Sequence, residues 1–145
     1  MNISLSGTNV FQAGNNVVEY TINPSGTGSI GLTGSEDMDF YSTLRNGAVK
    51  SMMEHQYQDI FQKTYAGVTK NAQDSHQQFS SAINGINQAP PFTTVFSTSN
   101  LSQSLQMVAK TIAARDTLGM KRQTFFITFG GWDHHDEVLN SQSLM

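Results

Sequence analysis

The alternation of apolar and polar positions near the start of the chain is typical of short strands. "NISLSG" and "VVEYTI" each alternate with the period of a strand. The turn-forming residues "QAGNN" lie between them, so this arrangement predicts a small N-terminal β hairpin. The stretch "NPSGTGSIGLTGS" that follows contains four glycines and predicts a loop.

Residues 35–88 predict a long helical region, because apolar side chains recur three or four positions apart. Ser35 is the expected N-cap, and Pro90 and Pro91 follow the end of the region. Gly47 and Gly67 each cost about 1 kcal/mol relative to alanine, which favours a kink or a break into two helices. The recurring apolar side chains are expected to pack in the core, and they are Phe40, Leu44, Ala48, Met52, Tyr57, Phe61, Tyr65, Val68, Ala72, Phe79, Ile83 and Ile86.

A second helix is predicted over residues 101–118, and a strand follows it at once. Ser99 or Asn100 is the expected N-cap, and Gly119 closes the helix. Its predicted buried stripe consists of Leu101, Leu105, Val108, Ile112 and Ala113. The strand Gln123–Phe129 is almost continuously apolar, which is typical of the interior of a parallel sheet. A helix that leads into such a strand is typical of a β–α–β unit.

An apolar strand of this kind requires neighbours on both edges, and the sequence offers few candidates. Either its edge is unprotected, which invites aggregation, or the chain is a piece of something larger, and we favour the second interpretation. We therefore predict an α/β fold in which 1–145 form a single incomplete domain. Within it, 1–34 form a β and loop excursion, 35–88 the long helical region, and 101–145 a helix, a strand and a site loop. Self-association through uncovered strand and helix faces is expected.

The bulk composition argues against several classes of function. Charged residues make up 13% of the 145 residues, against about 25% in an average globular domain. The net charge of −3 provides no field that attracts nucleic acid, so no nucleic-acid partner is expected. The absence of cysteine excludes disulfides and thiolate chemistry. No apolar run reaches the roughly 18 residues of a membrane span, and no secretory signal is visible.

Ionisable residues are concentrated directly after the predicted strand, in "GGWDHHDEV". Open α/β sheets bind ligands beyond the carboxyl ends of their strands, and Gly130 and Gly131 allow a sharp turn there. In an extended turn Asp133 and His135 project to the same side, where both can bind one cation. A carboxylate with an imidazole suits Zn, Mn or Fe. His134 then points elsewhere, as a supporting or a solvated group.

A purely structural interpretation of the same residues stays open. Asp133 is also a good helix N-cap, and Asp136 and Glu137 would lie in a first turn where the helix dipole favours anions. Two ligands do not complete a zinc site, which normally has three or four protein ligands. His55 and His76 lie 21 residues apart in the long helical region, so they cannot both join the pair.

The stretch "LSQSLQMVAKTIAARDTLGMKRQTFFITFGGWDHHDEVLN" closely resembles the C-terminal part of a bacterial family catalogued as domain of unknown function 1501. In that family a helix ending in a basic residue plus Gln precedes an aromatic-rich strand and a Gly-Gly-Phe-Asp-Thr-His run. Trp132 replaces the Phe of that run and His134 replaces the Thr. The matching positions are Gly130, Gly131, Asp133 and His135. The opening "NISLSGTNVFQAG" also resembles a segment that precedes the helical region of the family.

That family is similar to the alkaline phosphatase and sulfatase superfamily. The resemblance implies a partial alkaline-phosphatase-like sandwich, with Asp133 and His135 as ligands of a divalent metal, Zn or Mn. The supporting residues that it implies are Gly130, Gly131, His134 and Asp136. Its activity would be hydrolysis of phosphate or sulfate esters, and its relatives are exported to the periplasm or beyond.

Family members are longer at both ends, so the resemblance implies that this chain is a C-terminal-side fragment, inactive by itself. No position for a nucleophile can be assigned in it. The alternative is a non-catalytic helical interaction or scaffold protein, in which the acidic and histidine cluster only caps a helix.

Overall fold

The described residues form a mixed α/β fold with three helices and a small parallel sheet. The structure, a computed structural model, describes residues 1–14, 19–28 and 39–130. The described strands are β1 (Asn2–Ser4), β2 (Glu19–Thr21) and β3 (Thr124–Phe126), and the helices are α1 (Phe40–Glu54), α2 (Ile60–Gln88) and α3 (Asn100–Ala113). The chain divides into two compact units, one of Met1–Ile30 with Phe79–Met145 and the other of Gly31–Gln78.

The sheet has the strand order β2-β1-β3, and both strand pairs are parallel. The predicted N-terminal hairpin is therefore wrong, although β1 and β2 fall within the two stretches that alternate. Residues 5–18 connect these strands, which is long enough for the crossover that a parallel pair needs. A hairpin would instead use a connection of about two to five residues. The parallel character predicted for the strand after the second helix is confirmed.

One face of the sheet is apolar and carries the core of this unit. Ile3 is aligned with Tyr20 on one side and Phe125 on the other, so these three side chains share a face. The end of α2 and the length of α3 supply the facing side chains, in agreement with the predicted burial of Phe79 and Ile83. The core cluster of buried residues consists of Ile3, Ile22, Phe79, Ala82, Ile83, Met107 and Ala114.

The opposite face of the sheet is partly covered by the segment that follows β1. The buried Gln12 side chain donates from Nε2 to the carbonyl oxygens of Ile3 (3.2 Å) and Thr124 (3.4 Å). The ring of Phe11 stacks on that of Phe126, with 5.9 Å between the centroids. This segment therefore links β1 to β3, which are 122 positions apart along the chain.

Helix α3 begins as predicted but buries a different stripe. The Ser99 Oγ accepts from the Ser102 N–H (3.4 Å), which confirms Ser99 as the N-cap. The buried positions on the helix are Ser104, Met107 and Thr111, whereas Leu105 and Ile112 of the predicted stripe are exposed. The helix ends at Ala113, earlier than predicted, and turns continue to Gly119, where φ is +65°.

The small polar residues of α3 can be buried because their hydroxyls find partners within the helix. The Ser104 Oγ donates to the Asn100 carbonyl at 2.9 Å, and the Thr111 Oγ1 donates to the Met107 carbonyl at 2.8 Å. Burying a hydroxyl that is hydrogen-bonded in this way costs little free energy. Ser104, Met107 and Thr111 lie three and four positions apart and share one face. The prediction chose a neighbouring face because two of these three residues are polar.

The long helical region is two helices, and the break lies between the two glycines that were expected to cause it. Helix α1 begins after Asp39, not after Ser35, and Asp39 accepts from the backbone N–H groups of Tyr41 and Ser42. Helix α2 begins after Asp59, whose Oδ1 accepts from two backbone N–H groups at 3.0 Å. A new N-cap at Asp59 thus starts a second helix, while the helical backbone continues through Gly47 and Gly67.

The apolar residues in the first part of the helical region do not form a core within the described residues. Phe61 is 82% exposed and Phe40 is 74% exposed. The other exposed members of the predicted stripe include Leu44, Met52, Tyr65 and Val68. Only Ser42 and Ala66 are buried among residues 39–78. The predicted core packing is therefore wrong for this part, because periodicity defines an apolar face but not a partner for it.

The strand after α3 is shorter and less buried than its sequence suggests. β3 covers Thr124–Phe126 of the predicted Gln123–Phe129. Phe125, Phe126 and Ile127 are only half-buried, because β3 is an edge strand of the described sheet. The prediction that this strand is buried on both faces is therefore only partly confirmed.

Candidate functional site at the carboxyl edge of the sheet

All three strands point their carboxyl ends at one edge of the sheet, because both strand pairs are parallel. Ser4, Thr21 and Phe126 are the last strand residues at this edge. Three described loops begin there, namely residues 5–8, 22–28 and 127–130. Parallel sheets bind ligands at this edge, so these loops define the candidate site.

The loop after β1 is held by the hydroxyl group of Ser4, the last residue of that strand. The buried Ser4 Oγ donates to the Gly7 carbonyl and accepts from the Ser6 N–H at 3.3 Å. Gly7 has φ of +77°, a left-handed conformation that glycine adopts without strain. The chain therefore turns sharply at the carboxyl end of the central strand.

Ser6 connects this loop to the segment that leads toward the ionisable run. The Thr128 N–H donates to the Ser6 Oγ at 2.6 Å. Closer to the two strands, the Leu5 N–H donates to the Phe126 carbonyl at 2.9 Å. These two bonds fix the path of the chain beyond β3. Sequence reasoning missed Ser6 because serines are abundant, although its place in a Ser-Gly pair after a strand is a turn signal.

The loop after β2 is closed against the core. The Asn23 Oδ1 accepts from the Ser25 N–H (3.1 Å) and the Ser25 Oγ (2.9 Å), which is an Asx turn. Gly28 has φ of +77°, and a Cβ at this position would lie 2.8 Å from the Met107 Sδ and 3.2 Å from a ring carbon of Phe79. The glycine-rich "GTGSIG" thus supplies a close approach of backbone to core at Gly28.

The predicted site residues themselves mostly lie beyond the described part of the chain. Gly130 is described, is exposed and has open space around it. The residues outside the described ranges are Gly131, Asp133, His134, His135 and Asp136, together with Trp132 and Glu137. The choice between metal ligation and helix capping for Asp133 and His135 therefore stays a prediction.

The described residues at this edge carry no charge. Residues 5–8, 22–28 and 127–130 contain hydroxyl groups, one asparagine, glycines and five apolar residues, and no ionisable side chain. Any strong electrostatic contribution at this edge must therefore come from residues outside these three loops. Hydroxyl and backbone groups there can orient a polar ligand but cannot supply acid–base chemistry near neutral pH.

The two other histidines are placed on the helices of the second unit. His55 is the C-cap of α1 and stacks edge-on against Tyr57, with ring centroids 4.9 Å apart. His76 lies within α2 and is half-buried. Among residues 1–14, 19–28 and 39–130, no group of three or more His, Asp or Glu side chains could hold a metal ion.

The comparisons with known proteins gave no match, whether with a family model, a curated protein or a solved structure. Across the helices that the structure describes, none is long and apolar enough to cross a membrane. The carboxyl edge of the sheet is thus characterised by its own geometry alone.

Proposed function

We propose that this chain is part of an exported, metal-dependent hydrolase of phosphate or sulfate esters, in which Asp133 and His135 bind one divalent cation. The main support is the direction of β3, which runs parallel to β1. The chain leaves β3 at the carboxyl edge, where the Thr128 N–H is bonded to Ser6. In the sequence the Asp-x-His run begins three residues after Gly130, and parallel sheets bind ligands beyond this edge, which supports the proposal.

The chemistry of the two side chains fits the proposed ion. A carboxylate oxygen and an imidazole nitrogen are both common ligands of Zn and Mn. When bound, the ion would polarise an ester oxygen and lower the pKa of a bound water. Two protein ligands leave the coordination incomplete, and in this proposal the remaining ligands and the nucleophile come from other polypeptide. We therefore propose that this chain is inactive by itself.

The experiment uses the native protein that contains this chain, purified without chelators. Bound Zn and Mn are measured by plasma mass spectrometry, and hydrolysis is measured with p-nitrophenyl phosphate and p-nitrophenyl sulfate. Asp133→Asn keeps the size of the side chain but removes a charged ligand. We expect it to lower metal affinity by at least about 10- to 100-fold, the range found even for indirect partners of a metal.

The matched control is Glu137→Gln, which makes the same change of charge within the same acidic run. We expect it to leave metal affinity within about twofold, since Glu137 is not a ligand in this proposal. A native protein that holds no divalent metal would contradict the proposal. Equal metal affinity in Asp133→Asn and in the unchanged protein would contradict it as well.

A second candidate function is supported by the exposed apolar side chains on α1 and α2. An amphipathic helix with its apolar side uncovered is a common protein-binding element. In this function the chain is a helical interaction or scaffold protein, and Asp133 only caps a helix. Phe61→Lys would then reduce co-purification of a partner with the native protein, and Asp133→Asn would not. The hydrolase proposal instead expects Asp133→Asn to lower the metal content of the native protein and Phe61→Lys to leave it unchanged.

A further inference from the structure

The outer edge of β3 has no neighbouring strand among the described residues. The Thr124 N–H donates to the Met1 carbonyl and the Phe126 carbonyl accepts from Leu5, so the backbone groups of Thr124 and Phe126 face β1. In a strand the backbone groups of successive residues face opposite edges. Those of Gln123, Phe125 and Ile127 therefore point away from β1, toward this outer edge.

The segment that carries this edge is well suited to pair with itself. "QTFFITF" is seven residues long and has three phenylalanines and two threonines. It contains no charge, no proline and no glycine, which are the features that usually protect an edge strand. A short, uncharged segment of high β propensity is the sequence type that forms strand pairs between chains.

We propose that two copies of this chain pair through the outer edges of their β3 strands, in antiparallel orientation. The result is one continuous sheet with the order β2-β1-β3-β3-β1-β2. A two-fold axis passes beside Phe125, which exchanges both backbone hydrogen bonds with Phe125 of the second copy. Gln123 pairs in the same way with Ile127 of the second copy, because both present their backbone groups at the outer edge.

The charge pattern favours the antiparallel arrangement over a parallel one. Lys121 and Arg122 precede the segment, and both are exposed. Antiparallel pairing places the basic starts of the two segments at opposite ends of the strand pair. Parallel pairing would place the two basic starts side by side, where like charges destabilise a strand pair. The antiparallel dimer also leaves the two carboxyl edges at opposite ends, so it does not depend on metal binding.

The first experiment measures self-association of the full chain by sedimentation equilibrium. Ile127→Lys places a charge in the paired segment, which is a natural means of blocking edge pairing. We expect it to raise the dimer dissociation constant by about tenfold or more. The matched control Ile112→Lys makes the same change at an exposed position of α3 and leaves the constant within about twofold.

The second experiment tests the register and does not rely on a change in a half-buried residue. Arg122 and Thr128 are both exposed, and the chain has no native cysteine. In the proposed register Arg122 lies directly opposite Thr128 of the second copy, with Cα atoms about 4.5 Å apart. A disulfide can span that separation. The Arg122 positions of the two copies would instead be about 20 Å apart along the strands.

We expect a mixture of the R122C and T128C variants to form an inter-chain disulfide much faster than either variant alone. The proposal is overturned if the unchanged chain stays monomeric at every concentration. It is also overturned if each variant alone cross-links as fast as the mixture. If Phe61→Lys abolishes the dimer and Ile127→Lys leaves the dissociation constant unchanged, self-association is assigned to the helices instead.

Discussion

At the scale of single residues, Gly28 is the position where backbone conformation and close packing coincide. A side chain there would be strained by the positive φ and would collide with Met107 and Phe79. Gly26 has a similar φ of +64°, but nothing lies within 4 Å of its Cβ position. The two glycines therefore separate the cost of conformation from the cost of overpacking.

We predict that Gly26→Ala lowers the free energy of unfolding by about 1 kcal/mol, the usual cost of a left-handed alanine. Gly28→Ala adds an overpacking cost of about 1–3 kcal/mol to this. Urea denaturation of both variants measures the difference. Equal destabilisation would show that Met107 moves aside without cost and would contradict the packing derived for this loop.

Among the described residues, the ionisation of Asp39 is clearly linked to local structure. Hydrogen bonds from the Ser42 side chain and backbone lower the pKa of the Asp39 carboxyl below its usual value of 3.8, and the Tyr41 N–H acts in the same direction. A lowered pKa means that the folded state favours the ionised form. The resulting stability of the α1 N-terminus is present above pH 3.8 and is lost as pH falls through the lower, folded pKa.

We predict that the Asp39 carboxyl titrates below pH 3.8 in a carbon-detected NMR titration and that the Tyr41 and Ser42 amide signals move with it. Asp39→Asn is the control, since asparagine also caps a helix but does not ionise. Amide shifts that follow the same pH profile in Asp39→Asn would contradict the capping interpretation.

At the scale of elements, α2 carries phenylalanines in two opposite environments. Phe79 is 2% exposed and packs against Tyr20, with ring centroids 5.4 Å apart, whereas Phe61 is exposed. We predict that Phe79→Ala lowers the free energy of unfolding by about 3–5 kcal/mol and that Phe61→Ala changes it by less than about 0.5 kcal/mol.

Thermal and urea unfolding of the two variants, followed by circular dichroism, tests this prediction. Phe79→Leu is included because it keeps most of the apolar volume and leaves a folded protein if Phe79→Ala does not fold. A similar loss of stability in Phe61→Ala would mean that Phe61 is buried in solution. That result would favour a partner or a second copy on the α1 and α2 faces.

The helices illustrate how much of the fold follows from local sequence. The spacing of apolar residues predicted helical structure in the regions of α1, α2 and α3, and the cap at Ser99 followed from residue type. The break before α2 was expected but misplaced, because an N-cap at Asp59 determines it and the two glycines do not. Local patterns therefore predicted elements well and their exact ends less well.

The sheet illustrates what local sequence does not determine. The alternation around Ile3 and Tyr20 indicated strands correctly, but their parallel pairing depends on a crossover and on β3, far along the chain. The wrong prediction of burial for the apolar side chains of α1 and the first part of α2 has the same cause, because burial also depends on distant contacts. A sequence period shows which side chains share a face, and tertiary contacts decide whether that face is buried.

At the scale of the whole molecule, the two proposals concern different edges of the same sheet. In the dimer proposal, pairing occurs along the outer side of β3. In the metal proposal, the ion binds at the carboxyl end of the strands, beyond the hydrogen bond between Thr128 and Ser6. A monomeric chain would therefore leave the metal proposal intact. Absence of metal binding would likewise leave the dimer intact.

The central claim is that a divalent cation binds beside the carboxyl edge of the sheet. Paramagnetic Mn²⁺ broadens the NMR signals of nearby nuclei, so titration of this chain with MnCl₂ locates the ion directly. We predict that the amide signals of Ser6, Thr128 and Gly130 broaden first and that Asp133→Asn abolishes the effect. Selective broadening around Asp39, Asp59 or His55, or broadening of Thr128 that persists in Asp133→Asn, would contradict the claim.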